Sequence, residues 1–183
     1  MAWVAIALEW FRRKEVGIAV IETGVGGRND LTNVLRTATA VVGPIALDHT
    51  KTLGDTLPQI AAHKIGIAKP DVPLVVLDDE ELRPTIVDEA ARHRAKLSFI
   101  KEGKTFQRAT DDPQDNRFHY FGTHDIPDLM PGMVGFFQAA NGAMAVAGVE
   151  AFFHEIDRPL LPAAVRSGLA RARMPARLEV MKR

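Results

Sequence analysis

The stretch "VGIAVIETGVGGRND", residues 16–30, joins a nearly continuous apolar run to a carboxylate, Glu22, and then to a glycine-rich turn. Apolar runs of this kind are typical of strands that are covered on both faces in a parallel sheet. Similar apolar runs follow at residues 39–47, 72–77 and 96–100. Between them, residues 56–68 and 80–94 have the periodicity of helices. Strands and helices that alternate along a chain predict a doubly wound α/β fold, with a mostly parallel sheet flanked by helices.

The rest of the chain extends this prediction. Residues 2–14 have the apolar spacing of a helix, and residues 134–153 and 159–171 predict two more. Between these helical regions, residues 103–128 are polar and aromatic, which predicts a small antiparallel β subregion. Residues 177–181 predict a last strand close to the final residue, and this position is typical of a domain cut from a larger protein.

Composition narrows the classes of partner. The 183 residues include 23 basic and 23 acidic side chains, and a net charge of zero argues against binding to nucleic acid or to an anionic membrane. Cysteine is absent, which excludes disulfides and thiolate metal sites and is compatible with the cytoplasm. The apolar start, residues 1–11, contains Glu9, is too short to span a bilayer and lacks the basic region of a signal peptide. We therefore expect a cytoplasmic protein with small-molecule partners.

Side chains suited to binding a ligand follow two of the predicted strands. In open α/β sheets, ligands bind beyond the carboxyl ends of the strands. Glu22 follows one strand, and the glycines after it let the backbone approach a ligand. Asp48 and His49 follow the next strand. We expect Asp30, Thr32 and Asn33 to shape the loop through Asx-type hydrogen bonds.

A third candidate lies on the helix after His49. That helix begins at Thr56 and Gln59, which have the spacing of a capping box. Its apolar stripe runs through Leu57, Ile60, Ala61 and then position 64. Position 64 is a lysine, whose pKa burial should lower, and a neutral amine can react with carbon dioxide to give a carbamate that binds metal. Glu22, His49 and Lys64 could together hold a divalent metal ion.

Each of these residues also has a simpler interpretation. A carboxylate after a strand often caps a turn or pairs with a base, and a histidine is often a hydrogen-bonded structural residue. A lysine can extend its ammonium group to the surface. The glycine-rich turn does not have the G-x-G-x-x-G spacing of a dinucleotide-binding loop, so the turn alone is a weak signal.

Four blocks of sequence, in order, resemble one family. They are "ETGVGGRNDLTNV" (22–34), "ALDHTKTLGDTLPQIAAHKIGIAKP" (46–70), "MPGMVGFFQAANGAMA" (130–145) and "MPARLEV" (174–180). Together they resemble the central domain of folylpolyglutamate synthase and dihydrofolate synthase, which belong to the Mur-ligase-like ATP-dependent amide ligases. The likeness covers residues 1–183.

The resemblance implies an amide ligation. In such enzymes ATP phosphorylates a carboxylate of folate or dihydropteroate, and the amine of L-glutamate attacks the acyl phosphate, with Mg²⁺ bridging the phosphates. By motif position, Glu22 and His49 look like magnesium ligands and Lys64 like the carbamylated lysine. Asn141 and Arg177 match positions that contact the nucleotide. Taken alone, Asn141 could instead bond a neighbour in its helix, and Arg177 could be a solvated charge at the end of a strand.

The chain also departs from the family pattern. The family's phosphate-binding loop, G-T-N-G-K-G-S, occurs nowhere in it, and neither does a G-x-x-x-x-G-K-[ST] motif. We therefore expect residues 1–183 to be a partial central domain, without the upstream phosphate loop and the C-terminal glutamate-binding domain, and inactive alone. Smaller departures are His63, Ile65 and Ala176, where relatives usually have glutamate, alanine and glycine.

Two other functions remain open at this point. The chain could be a noncatalytic binding module that kept the fold, or part of a Mur-type ligase that acts on a cell-wall precursor. The segment "GVGGRNDLTN" favours the folate branch over the cell-wall branch. We expect the whole protein to be a monomer that binds neither nucleic acid nor membrane.

Overall fold

The computed structural model describes residues 2–112 and 115–175. The helices in these ranges are α1 (Ala2–Arg13), α2 (Thr50–Leu53), α3 (Leu57–Ile65), α4 (Arg83–Arg92), α5 (Gln138–Glu155) and α6 (Pro162–Arg171). The strands are β1 (Ala40–Val42), β2 (Pro73–Leu77), β3 (Lys96–Ile100), β4 (Phe106–Arg108), β5 (Phe118–Phe121) and β6 (Asp125–Leu129).

The first three strands form a parallel sheet in the order β1-β2-β3. The side chains of β2 alternate between two cores because successive residues of a strand point to opposite faces. Leu74 and Val76 pack with α3 and α4, whereas Val75 packs with α5 on the other face. Helices thus cover both faces of the parallel sheet, and the predicted doubly wound fold is confirmed.

The helix α3 begins as its sequence predicts. The Thr56 side chain accepts a hydrogen bond from the backbone N–H of Gln59, and the Gln59 side chain accepts one from the N–H of Thr56. This reciprocal capping box satisfies two of the free donors at the start of the helix. Pro58 lies in the first turn, where its missing N–H costs no hydrogen bond. The helix ends at Ile65, earlier than the predicted residue 68.

The second sheet is antiparallel and has the order β4-β5-β6. Its inner face packs on the same core as α5, through buried side chains such as Phe118, Ile126 and Leu129. Glu150 on α5 accepts hydrogen bonds from the β5–β6 turn and from Tyr120, which fixes the sheet to the helix. The predicted β subregion is confirmed, with β6 as an additional strand.

One predicted strand is wrong in this structure. Residues 16–22 form no strand, and Val20 at 96% and Ile18 at 57% are exposed. A strand requires a partner for its backbone N–H and C=O groups, and none of the described strands pairs with this segment. The apolar composition of residues 16–22 therefore predicted burial, but the described residues do not cover this segment. The neighbouring helix α1 has the same character, because Trp3, Ile6 and Trp10 are exposed.

The other predicted elements within the described residues agree in type, and the strand predicted at 96–100 also agrees in its bounds. The strand predicted at 39–47 is limited to Ala40–Val42, and the helix predicted from 134 begins at Gln138. The strand predicted at 177–181 lies outside the described residues. Across residues 2–112 and 115–175, the helices lack the combination of length and apolar character needed to cross a lipid bilayer.

Candidate functional site

The glycine-rich turn after Glu22 is organised by the carboxylate of Asp30. Oδ2 of Asp30 accepts hydrogen bonds from Gly24 N at 2.8 Å and Val25 N at 3.1 Å. Oδ1 accepts from the backbone N and the side-chain Oγ1 of Thr32, at 2.9 and 2.6 Å. Gly26 has φ of 69°, a conformation that side chains disfavour. The predicted Asx-type role of Asp30 is confirmed.

The same hydrogen bonds lower the pKa of Asp30. Burial raises the pKa of this carboxyl, but the bonds from Thr32, Val25 and Gly24 outweigh burial and hold the pKa below its ordinary value. Hydrogen bonds to the ionised form favour that form. Because two amides of the turn already bond Asp30, they are not free to bind phosphate as the amides of a phosphate loop do.

The turn lies directly on the C-terminal half of α3. A Cβ atom at Gly27 would overlap the carbonyl oxygen of Lys64 and lie 3.0 Å from Ile67 Cβ. The backbone N–H of Arg28 donates to the carbonyl oxygen of His63 at 2.9 Å. The ring of His63 packs against Gly26, where a Cβ would lie 2.7 Å from Nδ1. The glycines therefore allow the loop and the helix to pack as one unit.

The end of the loop is attached to the same helix terminus. Asn33 Nδ2 donates to the carbonyl oxygens of Arg28 and Gly66, at 2.9 and 3.1 Å. Lys69 Nζ donates to both the backbone oxygen and Oδ1 of Asn33, at 2.5 Å each. Asn33 was predicted to shape this loop, and these contacts confirm it. The role of Lys69 was not predicted, because nothing in the sequence pairs residues 36 positions apart.

Lys64 occupies the border between the buried and exposed faces of α3. Lys64 is half-buried, whereas the fully buried residues of the helix are Ile60, Ala61 and Ile65. The prediction that Lys64 is buried on the apolar stripe is therefore corrected to half-buried. An α-helix advances 100° per residue, so Ile65 lies on the same inner face as Ala61. Lys64, one residue earlier, lies at the edge of that face. From this edge the side chain can reach the surface near the glycine-rich turn.

His49 is placed by α2 and not by the end of a strand. It occupies the N-cap position of α2 with φ of 49° and ψ of 36°, and it is exposed. Its backbone N–H donates to Asp48 Oδ1 at 2.7 Å, and its ring Nε2 lies 3.6 Å from Asp48 Oδ2. The left-handed backbone is uncommon for a residue with a side chain and is found more often at functional sites. β1 ends seven residues earlier, at Val42, which corrects the predicted position.

The three segments that carry the predicted ligands meet at the glycine-rich turn. Leu53 of α2, four residues after His49, packs against Gly26. A Cβ atom at position 26 would be 2.6 Å from Leu53 Cδ2. The next glycine, Gly27, contacts α3 at Lys64, and Glu22 is an exposed residue just before the turn. The roles of Glu22, His49 and Lys64 in binding metal remain predictions.

The donor set of these residues suits a divalent cation under one condition. Glu22 offers carboxylate oxygens, which Mg²⁺ prefers, and His49 offers an imidazole nitrogen. Lys64 offers a metal ligand only as its carbamate, because an ammonium group has no lone pair. Within residues 2–112 and 115–175, no three His, Cys, Asp or Glu side chains are grouped so as to hold a metal. In ligand chemistry alone, Glu22, His49 and Lys64 suit the ion only if Lys64 is carbamylated.

The two residues predicted to contact nucleotide have different outcomes. Asn141 lies in α5, and its Nδ2 donates to Gln138 Oε1 at 3.2 Å, one turn earlier. The alternative in which Asn141 bonds a neighbour in its helix therefore describes the observed contact. Arg177 lies outside the described residues. Nucleotide contacts of both residues remain predictions.

Comparisons with known proteins support the resemblance. The chain is 35% identical, over 191 aligned residues, to folylpolyglutamate synthase of Lacticaseibacillus casei, covering 96% of this chain and 41% of that protein. It is 32% identical to dihydrofolate synthase/folylpolyglutamate synthase of Bacillus subtilis, covering 92% and 40%. A solved folylpolyglutamate synthase complex with AMPPCP and folate superposes with a TM-score of 0.85 at 33% identity, covering 94% and 43%. No family model matches the chain.

The parallel sheet covered on both faces, together with the separate antiparallel sheet, defines a domain of the Mur-ligase-like class. Within that class, the chain belongs to the folylpolyglutamate synthase and dihydrofolate synthase family. It spans about two fifths of the length of the curated relatives that it matches.

Proposed function

We propose that the chain forms the metal-site part of an ATP-dependent ligase that adds L-glutamate to folate or dihydropteroate through an acyl phosphate. The observation that supports this proposal most directly is the packing of the glycine-rich turn on α3 at Lys64, with α2 beside it. That packing joins the segments of the three predicted ligands. The similarity to a synthase solved with AMPPCP and folate supports ATP and folate as substrates.

In this proposal each residue has a separate task. Glu22 provides a negative oxygen at the rim of the turn, Lys64 provides a second as its carbamate, and His49 completes the set from α2. When bound there, Mg²⁺ would neutralise charge that develops on phosphate oxygens. The Asp30 network keeps the turn in a fixed conformation, so that Glu22 is placed before substrate arrives.

The chain by itself is expected to be inactive in this proposal. Its sequence contains no Walker-type phosphate loop, and two amides of its glycine-rich turn, those of Gly24 and Val25, already bond Asp30. Positioning of phosphates contributes most of the rate in phosphoryl transfer, so a domain without such a loop should lose several orders of magnitude of activity. The location is proposed to be the cytoplasm and the whole protein a monomer.

Ligation assays test the proposal on the protein expressed from the complete reading frame that contains these residues. Folate or dihydropteroate, L-glutamate, ATP and Mg²⁺ are supplied, and the glutamylated product is measured by mass. Lys64→Ala should abolish product while the circular dichroism spectrum is retained, and Lys104→Ala, an exposed lysine far along the chain, should leave turnover unchanged. Unchanged turnover in Lys64→Ala would remove the metal-site role. If the unsubstituted protein makes no glutamylated product from folate or dihydropteroate, the folate ligase assignment is wrong.

A further inference from the structure

A long-range ion pair joins the glycine-rich loop to α4. Arg28 Nη2 lies 2.9 Å from Oε2 of Glu89, although the two residues are 61 positions apart. The same nitrogen donates to the carbonyl oxygen of Ala62 in α3 at 3.2 Å. One guanidinium group therefore links the loop to two helices. The sequence alone gave no sign of this contact.

The carboxylate of Glu89 divides its two oxygens between different partners. Glu89 is 5% exposed, and a buried carboxylate stays charged at acceptable cost only when it is paired. Its Oε1 accepts from Arg92 Nη1 at 2.6 Å, within α4 itself. Its Oε2 is left to Arg28 of the loop, with His93 Nε2 more distant at 4.0 Å. Arg92 makes a local contact, whereas Arg28 makes the contact that crosses the fold.

The backbone around Arg28 is held against α3 as well. A Cβ at Gly66 would lie 2.5 Å from Arg28 Cβ, so the helix terminus accepts Arg28 only because residue 66 is glycine. The N–H of Arg28 donates to the oxygen of His63, the residue before Lys64. Arg28, which directly follows Gly26 and Gly27, is therefore held to α3 by its backbone as well as by its side chain.

We propose that Arg28 is a positioning residue, which holds the glycine-rich turn and Glu22 in a fixed place relative to Lys64 through its ion pair with Glu89. The consequence for metal binding rests on the proposed function, because it requires Glu22 and Lys64 to bind the ion. The consequence for the loop itself does not. Residues that orient metal ligands without touching the metal typically change metal affinity by about 10- to 100-fold when they are replaced.

Two measurements on the protein from the complete reading frame test this role. Mn²⁺ is the probe, because the electron paramagnetic resonance signal of the free ion reports binding. Arg28→Met should weaken Mn²⁺ binding by about tenfold. Arg92→Met is the matched control, since Arg92 bonds the same carboxylate from a side chain that is 71% exposed, and it should bind Mn²⁺ as the unsubstituted protein does.

Hydrogen exchange is followed in the same variants by mass spectrometry of peptides. Arg28→Met should accelerate exchange in residues 24–33 by about tenfold or more, with β2 and β3 unchanged, and Arg92→Met should not. Unchanged exchange in the loop, or equal acceleration throughout the chain, would overturn the positioning role. So would equal Mn²⁺ affinity in Arg28→Met and the unsubstituted protein. If the unsubstituted protein binds no Mn²⁺, the metal-site proposal fails, and loop exchange alone decides the role of Arg28.

Discussion

Gly27 lies directly against the carbonyl oxygen of Lys64, with the Ile67 backbone N 3.1 Å from where a Cβ at position 27 would be. Gly27→Ala should therefore force the turn away from α3 and destabilise the fold by about 1–3 kcal/mol, as overpacked substitutions do. Urea unfolding followed by circular dichroism measures the change. Gly43→Ala is the control, because a Cβ there meets no atom within 4 Å. Equal midpoints for the two variants would contradict the observed packing.

Asp30→Asn should destabilise the protein in a way that depends on pH. The pKa of Asp30 is lowered in the folded state from its ordinary value of 3.8, so the carboxylate contributes stability above that value. This contribution is lost as pH falls through the lower folded-state pKa. Near neutral pH the variant should lose about 1–3 kcal/mol, from hydrogen bonds to a charged group.

The measurement is the difference in unfolding free energy between Asp30→Asn and the unsubstituted protein from pH 7 to pH 2. The difference should shrink below pH 3.8. Thr32→Val removes only the side-chain donor, which lies 2.6 Å from Oδ1, and should give a smaller effect of the same sign. A difference that stays constant down to pH 2 would show that the charge of Asp30 is not what the turn requires.

Glu22→Gln should raise the concentration of Mg²⁺ needed for half-maximal ligation. The reason is that an amide oxygen has no full negative charge with which to hold a hard cation. The assay is a magnesium titration of product formation in the protein from the complete reading frame. Glu81→Gln, at an exposed position before α4, should leave the titration unchanged. A titration that is unaltered in Glu22→Gln would count against Glu22 as a ligand.

Glu150→Ala should release the β5–β6 turn from α5. The carboxylate is 13% exposed and accepts from Tyr120 Oη, from His124 Nδ1 and from two backbone N–H groups, at 2.8–3.1 Å. Removing it leaves the buried Tyr120 hydroxyl without this acceptor, at an expected cost of about 2–4 kcal/mol in unfolding free energy. Thermal and urea unfolding measure the loss.

A surface glutamate on the same helix provides the comparison. Glu155 pairs with Lys96 at 2.9 Å, but the lysine side chain is 57% exposed, so Glu155→Ala should cost less than about 1 kcal/mol. The Glu150 contribution should also fall at acid pH. Burial raises the pKa of Glu150, but the bonds from His124, Tyr120 and Thr123 outweigh it and lower the pKa below 4.5. If Glu150→Ala lowers the free energy of unfolding no more than Glu155→Ala does, Glu150 does not hold the β5–β6 turn to α5.

The parts of the fold that the sequence predicted are those with strong local patterns. β2 and β3 were predicted within one residue, because their apolar runs are short and bounded by polar residues. The capping box fixed the start of α3 for the same local reason. Residues 16–22 misled because an apolar run predicts burial but cannot supply the neighbouring strand on which burial depends.

The candidate site was predicted in its segments but not in its supports. The resemblance pointed to Glu22, His49 and Lys64, and the structure brings their segments to one turn. Arg28 and Glu89 were missed because a pair 61 residues apart leaves no periodic pattern. The half-burial of Lys64 was missed because positions seven residues apart on an α-helix do not point in the same direction. They differ by about 20° around the helix axis, which moves Lys64 away from the centre of the stripe that begins at Leu57.

The exposed apolar side chains of α1 and of residues 16–22 have a practical consequence for work with this polypeptide. Trp3, Trp10 and Val20 present large apolar surface, and Val41 at the outer strand β1 is 45% exposed. Water is a poor solvent for such surface, and neighbouring copies can shield one another. We therefore expect light scattering by the isolated chain to rise with protein concentration and with ammonium sulfate, and to fall when mild detergent is added.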